Sequence, residues 1–190
     1  RRLDGLQGDF DRQSLSSLMT SIINEANAAV LRTSARRPEC LGMGTTLTLL
    51  WLTPAGALMA HIGDSRLYAL SSGQMAQVSR DHVIGALPGI LQDQLNELAG
   101  ARKGILTRAI GAEQTVEADL HWLDDAGQAR FLLCSDGLHG VVTEDKIFEA
   151  LCLDSDLEGK CHFLVKAARE AGGPDNITAV LLRVPSSNGA

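Results

Sequence analysis

Three aspartates share one local setting, although they lie far apart in the sequence. Asp64 lies in "AHIGDSRLYAL", Asp136 in "FLLCSDGLHG" and Asp175 in "GGPDNITAVLL", each at the border of an apolar, strand-like run. A carboxylate in such a place is costly to bury unless a positive charge meets it. If the strand ends converge, divalent cations would relieve the repulsion between the carboxylates, and oxygen ligands favour Mg²⁺ or Mn²⁺ over zinc.

Each of these aspartates also has a purely structural interpretation. Asp before Gly is common in turns, and an Asp-Asn pair can hydrogen-bond to its own backbone. For any one of the three alone, the turn interpretation is the stronger. The metal hypothesis therefore depends on the three strand ends meeting at one site.

Helices and short strands alternate along the chain that must position these residues. Apolar periodicity predicts a helix over 14–35, with Asp11 or Ser14 at its N-cap. Thr143 is predicted to cap a helix that runs to Leu151, and a further helix is predicted over 157–171. Strands are predicted at 45–52, 57–62, 66–71, 116–122, 130–134 and 176–184.

The order helix, strands, helices, strand indicates an α+β fold with helices packed on antiparallel sheets. Turn residues between the first three predicted strands favour a meander, in which consecutive strands pair as antiparallel neighbours. The stretch 80–103 mixes Gly, Pro and one short amphipathic run. We expect it to leave the sheet as an excursion and to take part in substrate selection.

Composition limits the classes of partner. The 190 residues are 45% hydrophobic and carry a net charge of −6, which fits a single domain and excludes the basic surface of a nucleic-acid or anionic-membrane binder. No apolar run approaches the roughly 20 residues of a membrane span. The four cysteines include no CxxC pair, so reduced thiols and a cytoplasmic location are expected. Because Arg1 comes first and no signal-like core follows, we expect the chain to begin inside a longer protein.

A series of motifs then points to a family. In order they are "GMGTTLT", "HIGDSRLY", "RDHV", "ILTRAIG", "LLCSDGLHGVVTEDKI" and "GGPDNITAVLL", spanning 42–184. The series resembles the metal-dependent Ser/Thr protein phosphatases, the PPM or type 2C family. The resemblance implies two stacked antiparallel β-sheets flanked by helix pairs, an α-β-β-α sandwich. It also implies hydrolysis of phosphoserine and phosphothreonine by direct attack of a metal-activated water.

The resemblance also assigns roles to individual residues. By position, Asp136 and Asp175 match ligands of a catalytic pair of Mn²⁺ or Mg²⁺ ions. Asp64 matches an aspartate that is associated with a third, weaker metal. The residues expected to support these loops are Gly137, Asn176 and Ser135. The implied partner is a phosphorylated protein, and the implied role is opposition to a Ser/Thr kinase.

The sequence departs from the family pattern near its start. Family members carry an arginine near an N-E-D stretch and a strand that ends in D-G-x-G-G-H, and neither occurs here. Asp4 and Gly5 do not replace them, because no apolar strand precedes them. We therefore interpret residues 1–190 as one domain, the C-terminal two-thirds of such a catalytic domain, without its N-terminal strands. The alternative is a non-catalytic member of the family that binds or regulates a phosphoprotein.

Other polar residues receive weaker assignments. His61 is expected to pack within the sheet, and His82 is given no catalytic role. His139 either borders the site or lies in solvent, and the sequence leaves both alternatives open. Arg66 and Arg108 are expected to pair with acidic neighbours rather than to bind substrate phosphate.

Overall fold

The computed structural model describes residues 11–84, 105–124, 126–127 and 129–184. The described strands are β1 (Leu47–Thr53), β2 (Gly56–Ile62), β3 (Arg66–Ser71), β4 (Gln74–Gln77), β5 (Asp119–Leu123), β6 (Arg130–Cys134) and β7 (Ala179–Arg183). The described helices are α1 (Arg12–Arg36), α2 (Asp136–His139), α3 (Glu144–Cys152) and α4 (Leu157–Glu170), with a 3₁₀ turn at Pro38–Cys40. From residue 85 onward, the predicted excursion over 80–103 lies outside the described residues.

The strands form two antiparallel sheets, in the orders β1-β2-β5 and β4-β3-β6-β7. The predicted meander is therefore wrong between β2 and β3, which belong to different sheets. At Gly63 the chain crosses from the first sheet to the second. Its φ of +104° is one that residues other than glycine rarely adopt. Strand β4 was not predicted, because "QMAQ" is too short and too polar to resemble a strand.

The two sheets share an apolar interior, because alternate residues of their central strands face each other. Met59 of β2, Leu67 of β3 and Phe131 of β6 lie in this interior and are almost fully buried. Burial of a side chain of this size contributes roughly 1.5–3 kcal/mol to folding. The shared interior makes the two sheets one unit rather than two.

Helices cover the outer faces of both sheets. On one side, Met19 and Ile23 of α1 pack against alternate residues of β2. On the other side, Ile147 of α3 and Leu164 of α4 pack against the outward residues of β3 and β6. The layers are thus α-β-β-α, which confirms the expected α+β sandwich. Among the described residues, α1 alone covers the three-stranded sheet, whereas α3 and α4 form a pair on the four-stranded one.

The predicted helix caps are present. Asp11, rather than Ser14, caps α1, since its carboxylate accepts a 2.7 Å hydrogen bond from the Ser14 N–H. Thr143 caps α3 as expected. Helix α4 ends before Gly172 and Gly173, both of which have positive φ.

Two further observations bear on the chain's environment. None of the described helices is both long enough and apolar enough to cross a membrane. All four cysteines are free thiols, and Cys134 is buried within β6. Burial raises the pKa of the Cys134 thiol to about 12, so it stays protonated and behaves as a small apolar side chain.

Candidate metal centre

Strand register brings several strand ends to the same end of the sandwich. In the first sheet, Ile62 at the end of β2 lies opposite Leu47 at the start of β1. In the second sheet, Arg66, Cys134 and Ala179 form one row across β3, β6 and β7. The residues that follow β2 and β6, and those that precede β1, β3 and β7, are therefore neighbours.

A cleft of about 660 Å³ opens at this end, and all three predicted aspartates line it. Asp64 comes from the crossing between the sheets, Asp136 from the end of β6, and Asp175 from the loop before β7. The other lining residues include Thr45, Thr46, Ser65, Ser135, Asn176 and Thr178. Residues that are 72 and 39 positions apart in the sequence thus surround one oxygen-rich cleft. That they bind metal remains a prediction.

The electrostatics of the cleft suit a cation. Asp64 is half-buried, and its pKa is raised first by burial and then by the negative charge of Asp136. Both effects disfavour its ionised form, and a nearby cation would reverse this. Among the described residues, no three His, Cys, Asp or Glu side chains are close enough to hold an ion by themselves. An ion here would need water or other oxygen donors to complete its coordination.

Each of the other two aspartates uses one oxygen within its own loop. Asp136 Oδ1 accepts from the Gly137 N–H at 2.9 Å, and Asp175 Oδ1 accepts from the Asn176 N–H at 2.7 Å. These bonds orient both carboxylates. They leave the second oxygen of each without a hydrogen-bond partner among the described residues, and so free to bind an ion.

Ser135 joins the two loops that carry Asp136 and Asp175. Its hydroxyl donates to the Asn176 carbonyl at 3.1 Å and accepts from the Thr178 N–H at 3.0 Å, and its own N–H bonds the Thr178 carbonyl at 3.2 Å. These three hydrogen bonds fix the spacing between the loops. The supporting role predicted for Ser135 and Asn176 thus has a structural basis.

Gly137 supports the site through the space that a side chain would occupy. It lies in the first turn of α2 without a positive φ. A β-carbon at this position would collide with the main-chain carbonyl of Asn176. A glycine is required here because the two loops approach each other so closely.

His139 is resolved as part of the support for Asp64. Its Nε2–H donates to the main-chain carbonyl of Asp64 at 2.8 Å. Burial, followed by the positive charge of Arg66, lowers the pKa of His139 and favours the neutral ring. Of the two alternatives left open, the structure therefore supports a residue at the border of the site, and it gives His139 a positioning role.

Both arginines pair with acidic neighbours, as expected. Arg66 contacts the Asp81 carboxylate with Nε at 3.0 Å and Nη2 at 2.8 Å. Arg108 donates to Asp119 Oδ1 at 2.8 Å. Neither guanidinium is therefore available, in this arrangement, as a free anion binder.

Two buried histidines hold the crossing that carries Asp64. His61 is fully buried, as expected, and its Nε2 lies 3.0 Å from the Gly63 carbonyl. The Gly63 N–H donates to Nδ1 of His82 at 3.1 Å, and Nε2 of His82 lies 3.1 Å from Asp119. The role of His82 could not be predicted, because its partners come from two other parts of the chain.

Comparison with known proteins points in one direction. A family model described as Protein phosphatase 2C matches residues 3–162. The serine/threonine phosphatase stp of Listeria monocytogenes serotype 4b is 31% identical over 177 residues, which cover 90% of this chain and 68% of that protein. The serine/threonine protein phosphatase PstP of Mycobacterium tuberculosis is 30% identical over 94% of this chain, which spans only 35% of PstP.

Solved structures of bacterial proteins resemble this chain as well. The structure of the Mycobacterium tuberculosis phosphatase PstP/Ppp superimposes with a TM-score of 0.70 at 31% identity, covering 84% of this chain and 68% of that one. The structure of PppA, from Pseudomonas aeruginosa, has a TM-score of 0.75 at 30% identity, with coverages of 93% and 72%.

Proposed function

The chain belongs to the protein phosphatase 2C family, and from that premise we propose that it hydrolyses phosphoserine and phosphothreonine in proteins. The observation that carries the proposal is the convergence of Asp64, Asp136 and Asp175 on one cleft. A phosphate monoester is a compact dianion, and a cleft lined by carboxylates can accept it only through bridging cations. The family's metal dependence and this donor set therefore support each other.

We propose that Asp136 and Asp175 hold a pair of Mn²⁺ or Mg²⁺ ions and that Asp64 holds a third, weaker one. Such ions, when bound, supply an activated water and neutralise the phosphoryl oxygens. The chain's own contribution is to hold the carboxylates. Ser135 sets the distance between the loops of Asp136 and Asp175, and His139 holds the main chain of Asp64.

The proposal extends to the partners and the location. The substrate would be a phosphorylated protein, and the enzyme would oppose a Ser/Thr kinase. The net charge of −6 argues against nucleic acid or an anionic membrane as a partner, and four free cysteines support a cytoplasmic location. That residues 1–190 form one domain belongs to the same proposal and is supported by the shared interior of the sheets.

Turnover of p-nitrophenyl phosphate and of a phosphothreonine peptide tests the proposal, with Mn²⁺, with Mg²⁺ and with EDTA. We expect activity that requires metal. Asp136→Asn and Asp175→Asn should each lower kcat by about 100-fold or more, since each would remove a charged ligand. Asp154→Asn, which changes an exposed aspartate after α3, is the matched control and should leave the rate unchanged.

Two results would contradict the proposal. Full activity in EDTA would exclude the metal mechanism. Binding of the phosphopeptide without turnover, under every metal condition, would instead favour the alternative of a non-catalytic family member that binds a phosphoprotein.

A further inference from the structure

A second cavity adjoins the metal cleft. It has a volume of about 440 Å³, and three residues line both it and the cleft: Leu106, Ala109 and Ala112. The two cavities are therefore neighbours that share one wall. The second cavity, which we call the side groove, is lined by residues between 106 and 117.

Helix α1 holds the loop that forms the wall of the side groove. Asn27 of α1 is 1% exposed, and its side chain accepts from the Gly111 N–H at 2.7 Å. The same side chain donates to the carbonyls of Glu113 at 2.9 Å and of Gln114 at 3.2 Å. One buried amide thus fixes the loop that forms the wall, so the groove does not have to order itself when a ligand binds.

The side groove carries unbalanced negative charge. Glu113 and Glu117 line it, both are exposed, and neither carboxylate has a hydrogen-bond or ion-pair partner among the described residues. Arg108, the one cationic side chain among the described residues that line the groove, is already paired with Asp119 at 2.8 Å. A ligand in the side groove therefore meets two unpaired carboxylates.

We propose that the side groove is a substrate-specificity site that receives a lysine or arginine side chain of the phosphoprotein. The inference rests on the proposed function, because it assumes that the phosphorylated residue occupies the adjoining cleft. It follows from the wall that the two cavities share and from charge complementarity. An extended peptide advances about 3.3 Å per residue, so successive residues of a bound substrate would run from the cleft into the side groove.

The position of the side groove beside one wall of the metal cleft makes the proposal specific. A basic residue should help only where the bound peptide passes that wall, and therefore on one side of the phosphorylated residue. Because Glu113 and Glu117 are exposed, the attraction is screened by salt and should weaken as ionic strength rises.

The test uses phosphothreonine peptides in which a single lysine is placed at each of five positions before or after the phosphothreonine, with an all-alanine peptide for comparison. We expect kcat/KM to rise roughly fivefold for lysine at one or a few adjacent positions on one side. The double variant Glu113→Gln/Glu117→Gln should abolish this preference through KM. It should leave the all-alanine peptide and p-nitrophenyl phosphate unchanged. Glu149→Gln/Glu158→Gln, on α3 and α4, is the matched control and should keep the preference.

Fluorescence anisotropy with labelled, non-hydrolysed phosphonate versions of the same peptides gives a reading that does not need turnover. Loss of p-nitrophenyl phosphate hydrolysis would refute the proposed function, whereas the binding preference would still decide the side groove. Equal binding of lysine and alanine peptides would overturn the inference. So would a preference that survives in Glu113→Gln/Glu117→Gln. Reversal of the preference toward glutamate peptides in Glu113→Lys/Glu117→Lys would support it.

Discussion

At position 137, a single hydrogen atom decides how closely two loops can approach. Any larger side chain would meet the Asn176 carbonyl, and the loops of Asp136 and Asp175 would have to separate. The hydrogen bonds of Ser135 oppose that separation, since they join the same two loops. The geometry of the proposed metal ligands Asp136 and Asp175 therefore depends on Gly137, which has no side chain with which to bind a metal.

Gly137→Ala should destabilise the protein and lower its metal-dependent activity. Overpacking at a close contact of this kind costs roughly 1–3 kcal/mol. Urea unfolding and p-nitrophenyl phosphate turnover measure the two effects. Gly127→Ala is the control, because a β-carbon there would meet nothing within 4 Å. Equal stability of the two variants would contradict the close approach seen here.

His61 should make stability depend on pH. Burial, followed by the electrostatic effect of the neighbouring His82, lowers the pKa of His61 in the folded protein, whereas the unfolded chain titrates near the ordinary value. Below about pH 6.5 the unfolded state then binds more protons, so stability is complete above that pH and falls as the solution is acidified. The slope from one histidine is at most about 1.4 kcal/mol per pH unit.

The unfolding free energy in urea between pH 7.5 and 5 measures this slope. His61→Gln should make it shallower, whatever its effect on the absolute stability. His139 contributes in the same direction, because burial also lowers its pKa, so part of the slope should remain. A slope identical to that of the wild type would show that His61 does not titrate differently on unfolding.

Much of the site could be predicted at the residue scale, because an aspartate that borders an apolar strand beside glycine, serine or asparagine has a recognisable local pattern. Asp64, Asp136 and Asp175 all carry it. His82 does not, because its importance comes from partners that lie 19 and 37 residues away. No local pattern contains such contacts.

Among the elements, the segment between β2 and β3 changes sheets within three residues. Its sequence, glycine, aspartate, serine, resembles an ordinary hairpin turn, which is why the meander was predicted. Burial on both faces of β2 and β3 makes the transfer favourable, because each strand then contributes to the interior and to one helix layer. Hydrophobic pattern identifies a strand and its faces, but it does not identify the sheet that the strand joins.

Helix α1 holds the loop over residues 111–114 in place through the side chain of Asn27. Asn27→Ala should cost roughly 1–3 kcal/mol of stability, because the buried N–H of Gly111 and the carbonyl of Glu113 would lose their partner. Thermal unfolding measures the loss. Asn24→Ala, on the exposed face of the same helix, should stay within about 0.5 kcal/mol of the wild type. If both changes cost the same, Asn27 does not anchor the loop.

At the scale of the whole molecule, the α, β, β and α layers position one cleft. The carboxylates that line it repel each other when no cation is bound. The α+β class followed from the order of the predicted elements, and the two-sheet arrangement followed from the family resemblance. The sequence could not show that α1 alone covers one sheet among the described residues, because helix pairing depends on packing rather than on local pattern.

Without divalent ions, a variant that lacks the Asp64 carboxylate should be more stable than the wild type, although activity requires those ions. In EDTA, Asp64→Asn should unfold at a higher temperature than the wild type, because it removes a carboxylate whose charged form burial and Asp136 disfavour. With Mn²⁺ at 100 times its dissociation constant, the wild type should gain about 2.7 kcal/mol, and the advantage of the variant should shrink. A variant that is less stable than the wild type in EDTA would contradict this account.

Strand β7 ends its sheet, with no neighbour beyond it among the described strands, and Val180 on it is 51% exposed. Such a row of open main-chain donors and acceptors is a template on which a second extended segment can assemble. In concentrated solution, copies of the chain should therefore associate edge to edge before they unfold. Sedimentation velocity over a range of concentrations would show monomer giving way to larger species.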